Sequence, residues 1–140
     1  VSVSVEGPGA FEQPVDVAAD PTGNGVLYAI DLHDRIVQLK RDDSGAWKIA
    51  RQWQVPVGRI EGGSRLAVSP DGKRVYMSDP DRMRVAMVEV DKGTVSYFGK
   101  QGGDAGQFGG PSGIAVGPDG KVYVVDRANA NVQVFESGDH

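Results

Sequence analysis

Three aspartates, Asp31, Asp79 and Asp126, stand 48 and then 47 residues apart, each closing a short apolar run. Carboxylates recurring at one level could ligate a cation or line a pore. Their return at the same place in every copy points instead to structure, because an Asp at a strand end accepts backbone N–H bonds from the turn that follows. The same holds for Asp71 and Asp119, in two Pro-Asp-Gly turns. Asp31-Leu32-His33-Asp34 and Asp79-Pro80-Asp81 superficially resemble calcium loops, but neither supplies the Gly and distal Glu that an EF-hand-type loop needs. His33 is accompanied only by the terminal His140, and cysteine is absent. That is too little nitrogen and sulfur for zinc, and no Ser-His-Asp constellation is evident. Residues 99–110 are glycine-rich, yet Pro111 and a strand follow where a phosphate-binding loop would open a helix. The stretch reads as a flexible connection. No catalytic residue, metal or cofactor is expected from these positions.

The elements that must carry these residues come from a segment written three times: VDVAADPTGNGVLYAID (15–31), SRLAVSPDGKRVYMSD (64–79) and SGIAVGPDGKVYVVD (112–126). Ala18, Ala67 and Ala115 align, as do Pro21, Pro70 and Pro118, then Tyr28, Tyr76 and Tyr123. A period near 48 residues marks a solenoid, propeller or array. Each copy opens on a brief apolar run, at 17–19, 66–68 and 114–116. A Pro-x-Gly turn follows, where Pro presets φ and Gly accepts a positive one. Second strands are predicted at 26–30, 75–78 and 122–125, and third strands at 36–39, 85–90 and 132–135. The polar turns DDSG (42–45) and DKG (91–93) introduce fourth strands at 47–55 and 94–98. No segment of ten or more residues has helical apolar spacing. The expected fold is all-β: β-propeller blades of four antiparallel strands, three of them, at about 11–55, 60–98 and 108–135 of a single unit 1–140.

Residues that differ between copies are the better functional candidates, since the fold does not demand them. Phe11, His33, Arg35, Arg65, Arg82 and Arg127 fall before first strands or between second and third strands, and these loops should share one face. Arg is enriched at interface hot spots and pairs bidentately with carboxylates. Arg59 falls nearby, whereas Trp47 and Trp53 sit on a fourth strand, where packing accounts for them. The formal charge of −4 argues against nucleic acid as a partner. No apolar stretch approaches the roughly 20 residues of a membrane helix. Absent cysteine excludes disulfides.

QFGGPSGIAVGPDGKVYVVDRANANVQVF (107–135) resembles an NHL repeat almost position for position, and GKQGGDAG (99–106) resembles the loop that precedes one. The first copy matches well and the second more loosely. The resemblance implies a non-catalytic, six-bladed scaffold that presents loops to a protein or other ligand, and it suggests a bacterial module held outside the cytoplasmic membrane. The second copy also resembles gluconolactonase-type propellers, in which an Asn or Asp before the first strand holds a catalytic metal. The aligned positions here are Val15, Ser64 and Ser112, none of them a carboxylate or amide. A metal-dependent lactonase or hydrolase would then need its ligands in blades other than these. Val1–Val5 alternates strictly and is expected as an outer strand completing a blade. Three blades are too few to close a ring. The chain is therefore expected to be half of a six-bladed propeller, completed either by further blades of a longer protein, as a start on Val1 suits, or by a second copy joined 3+3.

Overall fold

The computed structural model describes residues 10–136. Its first sheet runs β1 (Asp16–Ala19), β2 (Leu27–Asp31), β3 (Arg35–Arg41) and β4 (Trp47–Gln54), neighbours pairing antiparallel in sequence order. A single 3-10 turn, Ile60–Gly62, leads to the second sheet. That sheet comprises β5 (Leu66–Val68), β6 (Arg74–Asp79), β7 (Arg84–Glu89) and β8 (Thr94–Phe98), again in sequential order. Two short strands, β9 (Lys100–Gln101) and β10 (Gln107–Phe108), pair parallel in the connection that follows. The third sheet holds β11 (Pro111–Val116), β12 (Val122–Asp126) and β13 (Asn131–Phe135). The outer strand expected at Val1–Val5 lies outside the described residues.

Strand pairing runs slightly beyond the apolar runs. Asp31 pairs with Arg35, Asp79 with Arg84 and Asp126 with Asn131, so each recurring aspartate is the last paired residue of its strand. Strand β11 begins at Pro111 rather than at Ile114, because a register shift between the two lets Pro111 pair with Asp126.

Alternation along the strands sorts side chains to the two faces of each sheet. Val75, Met77, Ala86 and Val88 meet Tyr28, Ile30, Ile36 and Trp53 in one core between the first and second sheets. Tyr76, Val85 and Met87 meet Phe108, Val122 and Val124 in another between the second and third. The middle sheet is thus covered on both faces, which is why β6 and β7 are apolar almost throughout. The sheets approach one another at their first strands, β5 lying against β1 and β2, and β11 against β5 and β6. Two hydrogen bonds cross the seams there. Leu66 N–H donates to Asp16 Oδ2 at 2.8 Å, and Ser78 Oγ donates to the Ser112 carbonyl at 2.6 Å. Three sheets gathered at their inner strands and stacked face to face are propeller blades.

The glycine-rich connection is ordered, not flexible. Phe108 is fully buried in the second core, and Gly102 N–H donates to the Phe108 carbonyl at 3.0 Å. Gln133 clamps the loop from β13: its Oε1 accepts Gly106 N–H at 2.9 Å, and its amide donates to the Gln107 carbonyl. Gly99 sits at φ +92°, where a Cβ would lie 2.4 Å from the Phe108 ring. The glycines there serve close packing around one aromatic anchor.

On the far face of the third sheet, Val125 pairs with Val132 and Tyr123 with Val134, pointing away from the core. Val132 is 58% exposed and Val134 51%, and Val17 on β1 is as open as Val132. Replacing Phe108 by Ala is expected to lower stability by about 3–5 kcal/mol, as for other fully buried aromatics. Denaturant unfolding measures this, and amide exchange over 99–110 should rise with it.

Candidate functional site

At one end of the stack lie the β2–β3, β6–β7 and β12–β13 turns together with the segments that lead into each first strand. All three recurring aspartates are buried there. Asp31 accepts N–H bonds from Glu12 (3.2 Å) and His33 (3.1 Å) and is gripped by Arg35 through Nε and a terminal nitrogen, the latter at 2.9 Å. Asp126 accepts the backbone N–H groups of Gly109 (2.9 Å), Gly110 (3.0 Å) and Asn129 (3.2 Å), and the Asn129 side-chain amide at 2.8 Å. Each of these two carboxylates ties its own turn to the segment before its first strand. Asp79 serves its turn alone, accepting Asp81 N–H (3.0 Å), Arg82 N–H (3.1 Å) and the Arg82 guanidinium (3.2 Å). Burial pushes the Asp31 and Asp126 carboxyls up, but their hydrogen bonds outweigh it. Arg35 dominates these for Asp31 and the Gly109 N–H for Asp126, and both groups end below the usual 3.8.

The six loop residues singled out above have different fates. Arg35 is not on an exposed face: it is only 6% exposed, bound to Asp31, to Gln52 Oε1 at 2.9 Å and to the Ala10 carbonyl at 3.1 Å. A guanidinium so engaged is a structural clamp. Phe11 is half-buried against Ala29, Val37 and Leu39. His33 is exposed, its Nδ1 3.3 Å from Glu12 Oε2. Arg65, Arg82 and Arg127 are exposed. Arg65 donates to the Gly62 carbonyl at 3.1 Å, and Arg127 N–H to the Gly110 carbonyl at 3.0 Å. Asp71 and Asp119 lie at the opposite end. Asp71 accepts Ser69 Oγ (2.7 Å) and Lys73 N–H (3.0 Å), and Asp119 accepts Lys121 N–H (3.1 Å). In the first copy Asp20 does this work, accepting Thr22 N–H at 2.9 Å and Asn24 Nδ2 at 3.0 Å.

Sequence reasoning missed the turn at 58–63. Asp81 Oδ1 accepts the N–H groups of Arg59 (2.8 Å) and Ile60 (2.9 Å), and Arg59 reaches Asp34 Oδ1 at 2.9 Å. The turn is pinned from both neighbours, with Ile60 held 54% exposed at its crest. Gly58 packs so closely beneath it that a Cβ would stand 2.6 Å from the Pro80 ring. Between this turn and the third sheet opens a cleft of about 450 Å³, walled by Ile60, Pro80, Met83, Pro111 and Ala128, with Arg127 at its edge. The one hint in the sequence is a single apolar residue inside GRIEGG (58–63). A second cavity, about 540 Å³, opens at the opposite end, where Glu89 pairs with Arg74 (3.5 Å) and Lys92 (3.2 Å).

Among the described residues no three His, Cys, Asp or Glu side chains come together in a group that could hold a metal ion. Ser64, at one position where lactonase-type propellers carry a ligand, is buried with its hydroxyl accepting Gly58 N–H at 2.8 Å.

Residues 108–135 match the NHL repeat. No curated protein matches the sequence. Among solved structures, a Bacteroides fragilis protein named provisionally as a 6-phosphogluconolactonase superposes with a TM-score of 0.66 at 25% identity, covering 92% of this chain and 37% of its own. A similarly named protein from Bacteroides uniformis gives 0.64 at 21% identity, over 95% and 43%. Virginiamycin B lyase from Staphylococcus aureus gives 0.55 at 16% identity, over 88% and 41%. The chain thus spans about two fifths of the length of these structures. It has the propeller fold.

Because the Asp31 and Asp126 carboxyls titrate lower folded than unfolded, their stabilisation is complete above the unfolded value near 3.8 and is lost as pH falls through the folded values. Thermal midpoints measured from pH 7 down to 2 should fall mainly below about pH 4. Asp126→Asn should flatten that fall while lowering stability at neutral pH.

Proposed function

We propose that this chain is a rigid, non-catalytic propeller module whose turn-rich end docks a protein partner. One observation carries the reading: the recurring carboxylates are consumed inside the fold, while Arg65 and Arg127, which do not recur, stand exposed at that end, as does the part of Arg82 not engaged by Asp79. Such arginines on loops held by buried bonds suit recognition, since little ordering remains to be done on binding. The exposed valine face of the third sheet and Val17 on the first take further blades, completing a six-bladed disc, or the matching faces of a second copy. Apolar sheet faces of this kind rarely stay wet in soluble proteins.

A second reading, a lactonase-type propeller enzyme, draws on the 25% identity to the Bacteroides fragilis structure. It needs a metal site built from residues other than Val15, Ser64 and Ser112. Hydrolysis of 6-phosphogluconolactone by the complete protein, abolished by a chelator, would replace the scaffold reading with this one.

Two measurements test the proposal. A photo-crosslinker placed at Arg65 is expected to capture a defined protein in extracts of the native source, while one at Lys73, at the opposite end, captures none. Equal capture from both ends overturns the docking face. In light scattering the 14.8 kDa chain is expected above monomer mass, and Val132→Lys with Val134→Lys is expected to return it to monomer. A stable monomer without those changes would show that the valine face needs no cover.

A further inference from the structure

The cleft beside Ile60 is chemically unlike the rest of the turn-rich end. Its volume, about 450 Å³, falls in the range of small-ligand and peptide-anchor sites. Ile60, Pro80, Met83, Pro111 and Ala128 make its walls apolar. Of the described residues that line it, Arg127 alone is charged.

The walls are built before anything binds. Asp81 holds the Ile60 turn through two backbone N–H groups, and Gly63 N–H closes the turn on the Ile60 carbonyl at 2.9 Å. Behind the opposite wall, the Gly109 and Gly110 N–H groups are already spent on Asp126. A ligand therefore finds few backbone donors there. Attraction comes from apolar contact and from one guanidinium.

From this composition we infer that the cleft takes a peptide segment that buries an apolar side chain between Ile60 and Met83 and sets a carboxylate against Arg127. The inference deepens the docking-face reading and rests on it. The chemistry disfavours other classes. A nucleic-acid strand would want several cations and aromatic stacking faces, and none of the described lining residues is aromatic. A phosphorylated sugar would want polar walls and more than one cation. An apolar side chain with a neighbouring carboxylate matches both halves of the site.

Two sources can supply that carboxylate, the free C-terminus of a peptide or an Asp or Glu side chain, and the test separates them. The isotope-labelled 140-residue protein is titrated with N-acetyl-Gly-Leu-Leu carrying a free carboxylate, with its C-terminal amide, and with amidated N-acetyl-Leu-Leu-Asp, while backbone amide shifts are followed. Binding by either acid, with shifts centred on Ile60, Met83 and Ala128 and at least fivefold weaker binding by the amidated Leu-Leu peptide, is the expected result. The stronger of the two acids identifies the source. Arg127→Gln should abolish the preference for the carboxylate, and Ile60→Ser should weaken all three peptides. Both side chains are exposed, and the thermal midpoint of each variant is measured alongside, so that weaker binding by a folded protein is told apart from unfolding. Equal binding of acid and amide, shifts confined to the opposite end, or displacement of the peptides by a mixed RNA pool overturns the inference. If the peptides fail while the Arg65 crosslinker still captures a protein, the ligand class is wrong and the docking face stands; failure of both removes both.

Discussion

A carboxylate buried at the end of each second strand is the interaction on which the turn-rich end depends. Asp31 and Asp126 each gather N–H groups from two separate stretches of backbone, the turn just ahead and the segment before the first strand of the same sheet. A buried carboxylate is costly unless its lone pairs are filled, and removing a partner from such a group typically costs several kcal/mol. That cost enforces the geometry: the turn and the incoming segment must sit where the acid can reach both. Asp79 shows how far the device can be varied, since it serves its turn through Arg82 and leaves the incoming segment to Asp81. The slack is taken up by the turn that lifts Ile60.

The second constraint is burial of the middle sheet on both faces. Tyr76 and Met77 are adjacent in β6, yet one lies in the core with the third sheet and the other in the core with the first. A one-residue slip of β6 would exchange them and unmake both cores. Asp16 and Ser78, crossing the seams by hydrogen bonds, add direction to packing that is otherwise non-directional. Phe108 does similar work from the connection, filling the seam between the second and third sheets and pulling a glycine-rich loop into order around its ring. The loops of the turn-rich end are therefore fastened to a scaffold with little freedom of its own.

The repeat made most of the fold legible. Pro-x-Gly turns, paired apolar runs and aspartates in register predict four strands per copy, and two of the sheets have four in sequential order. The discrepancies have local causes. The second strands run on to their closing aspartates because these pair across the hairpins, and β11 lengthened because a bulge lets Pro111 join the ladder. Residues 99–110 read as flexible because a glycine count cannot register one aromatic buried among them. Arg35 read as exposed because it follows a turn, and nothing in its neighbours' identities says that its head folds back onto an acid four residues earlier.

Periodicity alone determined that this protein forms blade after blade of antiparallel strands, because alternation and turn chemistry act over a few residues and are written where they act. It also marked the recurring aspartates as structural, since whatever every blade repeats is what every blade requires. Only the tertiary structure decided which arginines face outward, that Asp81 holds up the turn of the preceding connection, and that Ile60 meets Pro111 and Ala128 across a cleft. Those residues come together from segments roughly 50 and 70 positions apart in the sequence. Their meeting is a product of how the sheets stack, and no local pattern encodes it.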